Sequence, residues 1–278
     1  MHSDKLPPAI AIERLLAFID EHRNLVVLTG AGISAASGIP TYRDSAGTWT
    51  RNTPIQHRDF LLHESTRQRY WARSYSGWPA VSNAMPNVAH SALAKMEANG
   101  KINFLVTQNI DRLHQRAGHQ RVVDLHGRLD EVICLNCLAK TPRAQMQERL
   151  AGLNPHLQHE ALLLPDGDAD VDDDCVNQVI IPECLQCGGV LKPDVVFFGD
   201  SINREKVSQI NTAIDAAHAL LVIGSSLMVF SGYRFCRYAA ESAIPIACIN
   251  AGITRADPLF RLKINADCSS VLQQLLAV

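Results

Sequence analysis

A short apolar run that breaks into glycines constrains the fold of this chain more than any other stretch. Leu25–Leu28 is apolar and rich in valine, which is typical of a buried parallel strand. Gly30-Ala31-Gly32 follows, and small residues continue to Gly38. Glycines here let the backbone approach a ligand, and amides at the start of a following helix would point at an anion such as a pyrophosphate. The stretch therefore predicts a dinucleotide site.

The spacing leaves a second interpretation open. The glycines stand at Gly30, Gly32 and Gly38, and Thr50 occupies the position where a dinucleotide fingerprint has an acidic residue. Glycines that only tighten a turn are the alternative. The next segment favours a ligand, because Tyr42 and Arg43 place an aromatic ring and a cation on a stretch with poor helix signals. We expect this loop to close over a bound nucleotide.

The chain has room for one large domain and one small one. Its 278 residues carry a net charge of −2, which gives no support for nucleic-acid or membrane attraction. No apolar run approaches the length of a membrane span. The first eight residues contain no apolar signal core, so we expect a cytoplasmic protein.

Helix and strand patterns alternate along most of the chain. Helices are predicted over 9–22 and over 88–99, the second with Asn87 as its cap. Strands are predicted over 25–28, 101–107, 121–126, 219–223 and 244–249. The alternation predicts an α/β fold with a Rossmann-like, doubly wound parallel sheet. Residues 45–85 are interpreted as an insert of short helices and loops.

Polar or small residues follow the predicted strands. In an open α/β sheet, ligands are held at the carboxyl ends of the strands, although each motif alone also fits an ordinary βα loop. These candidate ligand-binding residues are Gln108, Asn109, Ile110, Asp111, His126, Gly224, Ser225, Ser226, Asn250, Ala251 and Gly252. His57, His90 and His114 are interpreted as structural.

Four cysteines form two Cys-x-x-Cys pairs. Cys134 and Cys137 make the first, and Cys184 and Cys187 make the second. Each pair can hold one side of a tetrahedral zinc, and four thiolates leave no open position, so the predicted zinc is structural. Two independent redox pairs are the alternative, which no thioredoxin-like pattern supports. The intervening acidic run, residues 166–174, lacks the glycine and closing glutamate of a calcium loop and is interpreted as a solvated loop.

Taken together, these motifs resemble the sirtuins, which are NAD-dependent protein deacylases. The matching blocks are Gly30–Ser34, Thr107–Asp111, Leu125–Gly127, the four cysteines, Leu191–Gly199, Gly224–Ser226 and Asn250. Three further segments are similar to class II sirtuins, the branch that includes a human mitochondrial member. They are Pro54–His57, Arg67–Arg73 and Ser231–Phe235.

The resemblance implies a cofactor, a reaction and a role for each block. His126 would be the general base on a ribose hydroxyl, which suits an imidazole that titrates near neutral pH, and Asn109 would share in catalysis. Val195, Val196, Phe197, Phe198 and Gly199 would pair with the substrate peptide as an added strand. The implied NAD-binding residues are Gly30, Ala31, Gly32, Ser34, Tyr42, Arg43, Gln108, Asn109, Ile110, Asp111, Gly224, Ser225, Ser226, Asn250, Ala251, Gly252 and Cys268.

Tyr70 and Arg73 raise the question of which acyl group fits. Sirtuins that remove acidic acyl groups carry a Tyr-x-x-Arg pair in their acyl pocket, and this spacing puts both side chains on one helix face. A guanidinium binds a carboxylate bidentately, and a phenol adds a third hydrogen bond. The alternative is that Arg73 is a solvated surface charge, since residues 67–73 contain three arginines.

The resemblance implies a division into domains. Residues 1–130 and 190–278 would form the Rossmann-like NAD-binding domain, and residues 131–189 a small inserted zinc-binding domain. The expected partners are acylated-lysine proteins, with no nucleic acid and no membrane. The alternative functions are ADP-ribosyl transfer from the same NAD and, from another class, a zinc-ribbon binding module. The absence of a Lys/Arg stripe around the cysteines argues against the module.

Overall fold

A six-stranded parallel sheet forms the centre of the computed structural model, which describes residues 8–41, 54–155, 157 and 178–276. The strand order is β3-β2-β1-β7-β8-β9. The strands are β1 (Leu25–Thr29), β2 (Ile102–Thr107), β3 (Val122–Asp124), β7 (Ala219–Ile223), β8 (Ile246–Ile249) and β9 (Leu262–Ile264).

This order confirms the predicted doubly wound topology. The chain runs outward from β1 to β3 on one side and then from β7 to β9 on the other. The order reverses between β1 and β7, where Thr29 pairs with Ile223 at the carboxyl ends. A crevice opens at such a switch point, and ligands of open α/β sheets bind there.

Helices cover both faces of the sheet. One apolar core lies under the helices that begin at Pro8, Val88 and Cys268, and a second lies under those that begin at Arg204 and Phe230. No helix in the described ranges is long and apolar enough to cross a bilayer. The helices are α1 (Pro8–Glu21), α2 (His57–Leu62), α3 (Glu64–Asn83), α4 (Val88–Ala98), α5 (Leu113–Arg116), α6 (Arg143–Leu153), α7 (Arg204–Asp215), α8 (Phe230–Glu241) and α9 (Cys268–Leu276).

The segment after β1 differs from the expected helix. Two three-residue 3₁₀ turns, Ala31–Ile33 and Ala35–Ser37, follow the strand. Their bonds span three residues, as in Ile33 N to Gly30 O at 3.1 Å. Gly38, at φ +84°, then ends the second turn in the left-handed region. The small residues of this stretch therefore make tight turns, and the prediction of a helix starting here was wrong.

A second, antiparallel sheet lies beside the first. It contains β4 (Gly127–Cys134), β5 (Lys140–Pro142) and β6 (Leu191–Val195) in the order β5-β4-β6. Cys134 pairs with Leu191 at one end of β4, and Gly127 pairs with Val195 at the other. The sheet packs with α3 and α6 in a third apolar cluster. The exact domain boundaries stay a prediction.

Helix α3 corrects the expectation of short helices in the insert. It runs for 20 residues. Its inner face meets α6 through the fully buried Arg143, whose guanidinium lies 5.5 Å from the Trp71 ring and 5.0 Å from the Trp78 ring. Arg143 also donates to the carbonyl of Ser74 at 3.0 Å. Cation–π contacts and this bond join the insert to the second sheet.

Three buried histidines pack edge to face beneath the end of β1. The ring centroids of His90 and His114 are 4.9 Å apart, and those of His114 and His119 are 5.2 Å apart. His114 Nε2 lies 2.9 Å from Thr29 Oγ1, and His119 Nδ1 lies 3.1 Å from a Glu97 carboxylate oxygen. Burial lowers the pKa of all three rings, that of His90 to about 4. The rings are therefore neutral at pH 7 and form part of the core.

These lowered pKa values predict an acid-sensitive fold. An unfolded histidine titrates near 6.5, so between pH 6.5 and about 4 the unfolded state binds a proton that folded His90 excludes. The free energy of unfolding should fall by about 2 kcal/mol from pH 7 to pH 5 through His90 alone. Urea unfolding at both pH values measures this change.

The matched variant is His90→Gln. His90 Nδ1 accepts a bond from the amide of Asn87 at the start of α4, and glutamine can make the same capping contact without titrating. Burial also raises the pKa of Asp111 and Asp124, which has the opposite effect on how the free energy of unfolding changes with pH. Wild type and His90→Gln share this contribution, so it cancels when the two are compared. An equal pH slope in wild type and His90→Gln would contradict the prediction.

Candidate active site

A cleft of about 480 Å³ opens at the switch point of the large sheet. Its volume lies in the usual range for small-molecule sites. The loops after β1, β2, β7 and β8, the start of β4 and the end of β6 all contribute to its wall. The predicted residues on the wall are Gly30, Ala31, Gly32, Ser34, Gln108, Asn109, Ile110, Asp111, His126, Val195, Val196, Phe197, Phe198, Gly199, Gly224, Ser225, Ser226, Asn250, Ala251 and Cys268.

The glycines at the floor of the cleft serve a backbone-to-backbone contact. Gly32 N donates to Gly224 O at 2.8 Å, and Gly30 N donates to Ile223 O at 3.2 Å. A Cβ added to Gly32 would lie 2.8 Å from Gly224 O, and one added to Gly30 would lie 2.7 Å from Ser225 Cβ. The glycines therefore allow two loops to touch, a cause that the sequence analysis did not foresee.

A partly buried polar network extends from the glycine turn. Ser34 Oγ donates to Asp111 Oδ2 at 2.6 Å and accepts from Asn109 Nδ2 at 3.0 Å. Asn109 Nδ2 also lies 3.2 Å from Gly30 O. Burial raises the pKa of Asp111, while the bond from Ser34 opposes that rise. The network fixes the amide of Asn109 against the turn.

Two hydrogen bonds determine the tautomer of His126. Its Nδ1 lies 2.8 Å from the carbonyl oxygen of Gln108, which can only accept, so Nδ1 carries the proton. Its Nε2 lies 2.8 Å from Ser231 Oγ and is therefore the unprotonated nitrogen. Burial lowers the pKa of this imidazole, against the bond to Gln108, which raises it. At pH 7 His126 presents a basic Nε2 to the cleft.

Ser231 is a wall residue that the sequence analysis did not assign to the site. It lies in the first turn of α8 beside Gly232, where an added Cβ would lie 2.6 Å from Gln108 Oε1. Gln108 Nε2 in turn donates to Ser225 Oγ at 2.7 Å. Glycine at 232 thus lets α8 approach Gln108 and His126 closely. The Ser231-Gly232 pair was visible in the sequence, but its partners lie more than 100 residues away.

The segment after β6 forms the opposite wall. Val196 N donates to His126 O at 2.8 Å, which ties this segment to the candidate base. Phe198 forms a parallel bridge with Gln56, and its carbonyl accepts from His57 N at 2.8 Å. The buried Lys192 donates to the Val195 carbonyl and lies 4.4 Å from the Phe197 ring. These contacts hold the wall segment in place.

Some predicted residues do not reach the described wall. Gly252 N donates to Asn265 Oδ1 at 2.8 Å, outside the cleft. Tyr70 is 4% exposed, with its ring centroid 5.3 Å from that of Phe197. Neither Tyr70 nor Arg73 is among the described residues that line the cleft. Tyr42 and Arg43 lie outside the described residues, as does the acidic run 166–174.

The four cysteines converge as predicted. The Sγ atoms of Cys134, Cys137, Cys184 and Cys187 all lie within 4.8 Å of one another. Cys134 Sγ is 3.5 Å from Cys187 Sγ, and Cys137 Sγ is 3.7 Å from Cys184 Sγ. A tetrahedral zinc with bonds of about 2.3 Å requires about 3.8 Å between sulfurs. The cluster fits a structural zinc site.

Comparison with known proteins identifies the family to which this chain belongs. The profile of the Sir2 family matches residues 30–231. "NAD-dependent protein deacetylase 2" of Bradyrhizobium diazoefficiens is 50% identical over 96% of this chain and 98% of its own length. Human "NAD-dependent protein lipoamidase sirtuin-4, mitochondrial" is 49% identical over 94% of this chain and 84% of its own length. The chain belongs to the Sir2 family, the sirtuins.

Solved structures agree with this assignment. One described as "Sir2-p53 peptide-NAD+" is 29% identical, with a TM-score of 0.77 over 96% of this chain and 97% of its own. Another, "Structure of Sir2Tm bound to a propionylated peptide", is 29% identical, with a TM-score of 0.74 over the same shares. The predicted resemblance and fold class are confirmed, including the likeness to a human class II member.

The cysteine cluster predicts a measurable metal content. Purified protein should carry about one zinc per chain, because four thiolates complete one tetrahedral site. Cys184→Ala should lose zinc and melt at a lower temperature, since zinc binding is coupled to folding. Elemental analysis and thermal melts measure both effects.

Cys236→Ala provides the control. Cys236 is a buried residue of α8, outside the metal cluster, so this variant should keep its zinc. An unchanged melting curve after complete zinc removal from the wild type would show that the metal does not hold the fold.

Proposed function

We propose that the protein is an NAD-dependent protein-lysine deacylase that releases nicotinamide and O-acyl-ADP-ribose. One observation carries the proposal: the neutral His126, with a basic Nε2, lies in the same cleft as the glycine turn and the polar strand ends. The relatives named as NAD-dependent deacetylases support it, since they align over almost the whole chain.

The cleft residues fit an NAD molecule laid across the switch point. We assign the phosphates to the turns at Gly30–Ser34 and Gly224–Ser226, which lie against each other. Asn250 and Cys268 would meet the adenosine end. Gln108, Asn109 and Asp111 would surround the nicotinamide and its ribose. Bound NAD supplies a glycosidic bond whose cleavage releases nicotinamide and leaves ADP-ribose to accept the acyl group.

His126 would remove a proton from a ribose hydroxyl. Its Nε2 is ready for this step, because Gln108 O holds the proton on Nδ1. Ser231 occupies the hydrogen-bonding position at Nε2 and keeps the ring turned into the cleft until substrate arrives. Asn109, held by Ser34 and Gly30 O, would orient the ribose. The chain thus offers a base and a fixed amide on one wall.

The substrate peptide would lie along Val195–Gly199 as an added strand, with the acyl-lysine passing into the cleft. Apolar side chains between this wall and the glycine turn would receive the acyl chain, among them Ile39, Leu129 and Ile202. We place the protein in the cytoplasm. None of its described cysteines is in a disulfide, which is typical of proteins from a reducing compartment.

Replacing the base should separate binding from chemistry. We expect His126→Ala to keep its NAD affinity while deacylation of an acetyl-lysine peptide falls by at least ~10²-fold, the scale of a lost general base. Because burial lowers the pKa of His126, wild-type kcat/KM should stay high below pH 6.5 and fall only at more acidic pH. Calorimetry with NAD and a nicotinamide-release assay give the two readouts.

His218→Ala is the control, because His218 is an exposed histidine ahead of β7. Mass spectrometry of both products tests the alternative activity. Free peptide lysine with acyl-ADP-ribose supports deacylation, whereas a protein that gains ADP-ribose indicates the transferase. Wild-type turnover in His126→Ala would falsify the role of the base.

The choice of acyl group gives a further prediction. If Arg73 binds the carboxylate of an acidic acyl chain, Arg73→Met should penalise glutaryl-lysine by about 1.5–3 kcal/mol in transition-state binding, the range for hydrogen bonds to a charge. Acetyl-lysine should be affected far less. Rates with both peptides measure the difference.

Arg69→Met is the matched control on α3, one turn earlier and exposed. Tyr70 packs on Phe197, so a change in α3 can also reach the wall indirectly. Equal losses for both acyl groups in Arg73→Met would show that Arg73 supports the fold and does not read the acyl chain.

A further inference from the structure

Two arginines enclose an aromatic ring at the edge of the cleft. The guanidinium carbon of Arg234 lies 5.1 Å from the Phe230 ring centroid, and that of Arg255 lies 5.8 Å from the same centroid. Arg255 also lies 4.5 Å from the Tyr233 ring. We call Phe230, Tyr233, Arg234 and Arg255 the arginine–aromatic cluster. Phe230 is 44% exposed, so a ligand can reach this ring and the guanidinium groups beside it.

The positive charge of this cluster is not matched inside the described part of the chain. There, no carboxylate lies within 4.0 Å of Arg234 or Arg255. Arg234 Nε is buried without a hydrogen-bond partner, and the Arg255 side chain has one hydrogen bond to the described residues, from Nη1 to the carbonyl of Met228 at 3.3 Å. By contrast, Arg237 on the same helix pairs with Glu241 at 3.0 Å. Two like charges beside one ring repel, and a bound anion would relieve that repulsion.

The position of the arginine–aromatic cluster favours the substrate peptide as the source of the anion. Phe230 stands between Val229 and Ser231, both of which line the cleft, and the Met228 carbonyl anchors Arg255. The other wall is the proposed peptide-binding segment, Val195–Gly199. An extended peptide there advances about 3.3 Å per residue. Because Val229 and Ser231 line the same cleft as Val195–Gly199, the residues of the peptide that flank the acyl-lysine are the part of the substrate that would pass the cluster.

Beside the cluster, a recess of about 210 Å³ lies between α7 and α8. Phe230 and Arg234 form part of its lining. Arg237 and Glu241 also line the recess and pair with each other, so its unmatched positive charge is that of Arg234. A carboxylate suits this geometry, since a guanidinium binds it through parallel hydrogen bonds.

We propose that the arginine–aromatic cluster binds an acidic side chain of the substrate protein, within three residues of the acyl-lysine. The protein then selects acyl-lysines in acidic sequence. This inference rests on the proposed deacylase function and adds the class of substrate sequence to it.

Matched acetyl-lysine peptides test the proposal. Glutamate, glutamine or lysine is placed at each of the three positions on either side of the acyl-lysine, and kcat/KM is measured with NAD. At one or more positions, glutamate should exceed glutamine by about fivefold and lysine should fall below glutamine, a size set by partly exposed charge pairs. High salt should reduce the difference.

Two variants assign the preference to the cluster. Arg255→Gln, at an exposed position, and Arg234→Gln should each reduce the glutamate preference, and together they should abolish it, mainly through KM. Arg255→Glu should favour the lysine-flanked peptide. Arg261→Gln is the control, because Arg261 is exposed and pairs with Glu21 elsewhere on the surface. Peptide binding measured by calorimetry gives a second readout.

The outcomes separate the two proposals. If wild type deacylates glutamate-, glutamine- and lysine-flanked peptides equally well, the cluster does not read the substrate, while the deacylase function stands. If the preference exists but survives in the double variant, another surface carries it and the proposal fails. If no peptide of any charge yields free lysine and nicotinamide, both proposals fail.

Discussion

The structure depends on a close contact between two backbone loops at the switch point of the sheet. Gly32 N donates to Gly224 O at 2.8 Å, and Gly224 N donates to Ile249 O at 2.9 Å. The ends of β1, β7 and β8 are thereby linked at one edge. A Cβ on Gly224 would lie 2.5 Å from Ile33 N, and its φ of +61° favours glycine as well. Without these glycines the loops would separate, and the floor of the cleft would open.

Residues bonded to the floor of the cleft position His126, the candidate base. Gln108 N donates to Thr29 O at 2.9 Å, and Gln108 Nε2 donates to Ser225 Oγ on the other side of the switch point. Its carbonyl is then directed at His126 Nδ1 and fixes the tautomer. A histidine held in this way keeps its tautomer and ring orientation fixed before the reaction, and such preorganisation lowers a barrier. The first turn of α8 completes the arrangement, because Gly232 leaves space for Gln108.

The sequence predicted those structural features that interactions between neighbouring residues determine. The buried strands were recognisable because runs such as Ala219–Ile223 are continuous and apolar, and Asn87 was recognisable because a side-chain cap acts within three residues. The helix after β1 was wrong, since 3₁₀ turns there satisfy contacts to Gly224 that no local signal reveals. Ser231 was missed for the same reason, because its bond to His126 joins residues 105 positions apart. Short β9 lacked enough residues to show a period.

The cysteine cluster and the cleft lie at opposite ends of the strand pair formed by β4 and β6. Strand β4 begins one residue after His126 and ends at Cys134 of the cysteine cluster, while β6 begins at Leu191 and ends at Val195, the first residue of the proposed peptide-binding segment. At the cleft end Gly127 pairs with Val195, and a Cβ on Gly127 would lie 2.1 Å from Asp194 O, so this approach requires glycine. At the other end Cys134 pairs with Leu191, four residues beyond the ligand Cys187. The two strands that carry the cysteine cluster at one end thus also hold the candidate base beside the cleft wall at the other, since Val196 N donates to His126 O at 2.8 Å.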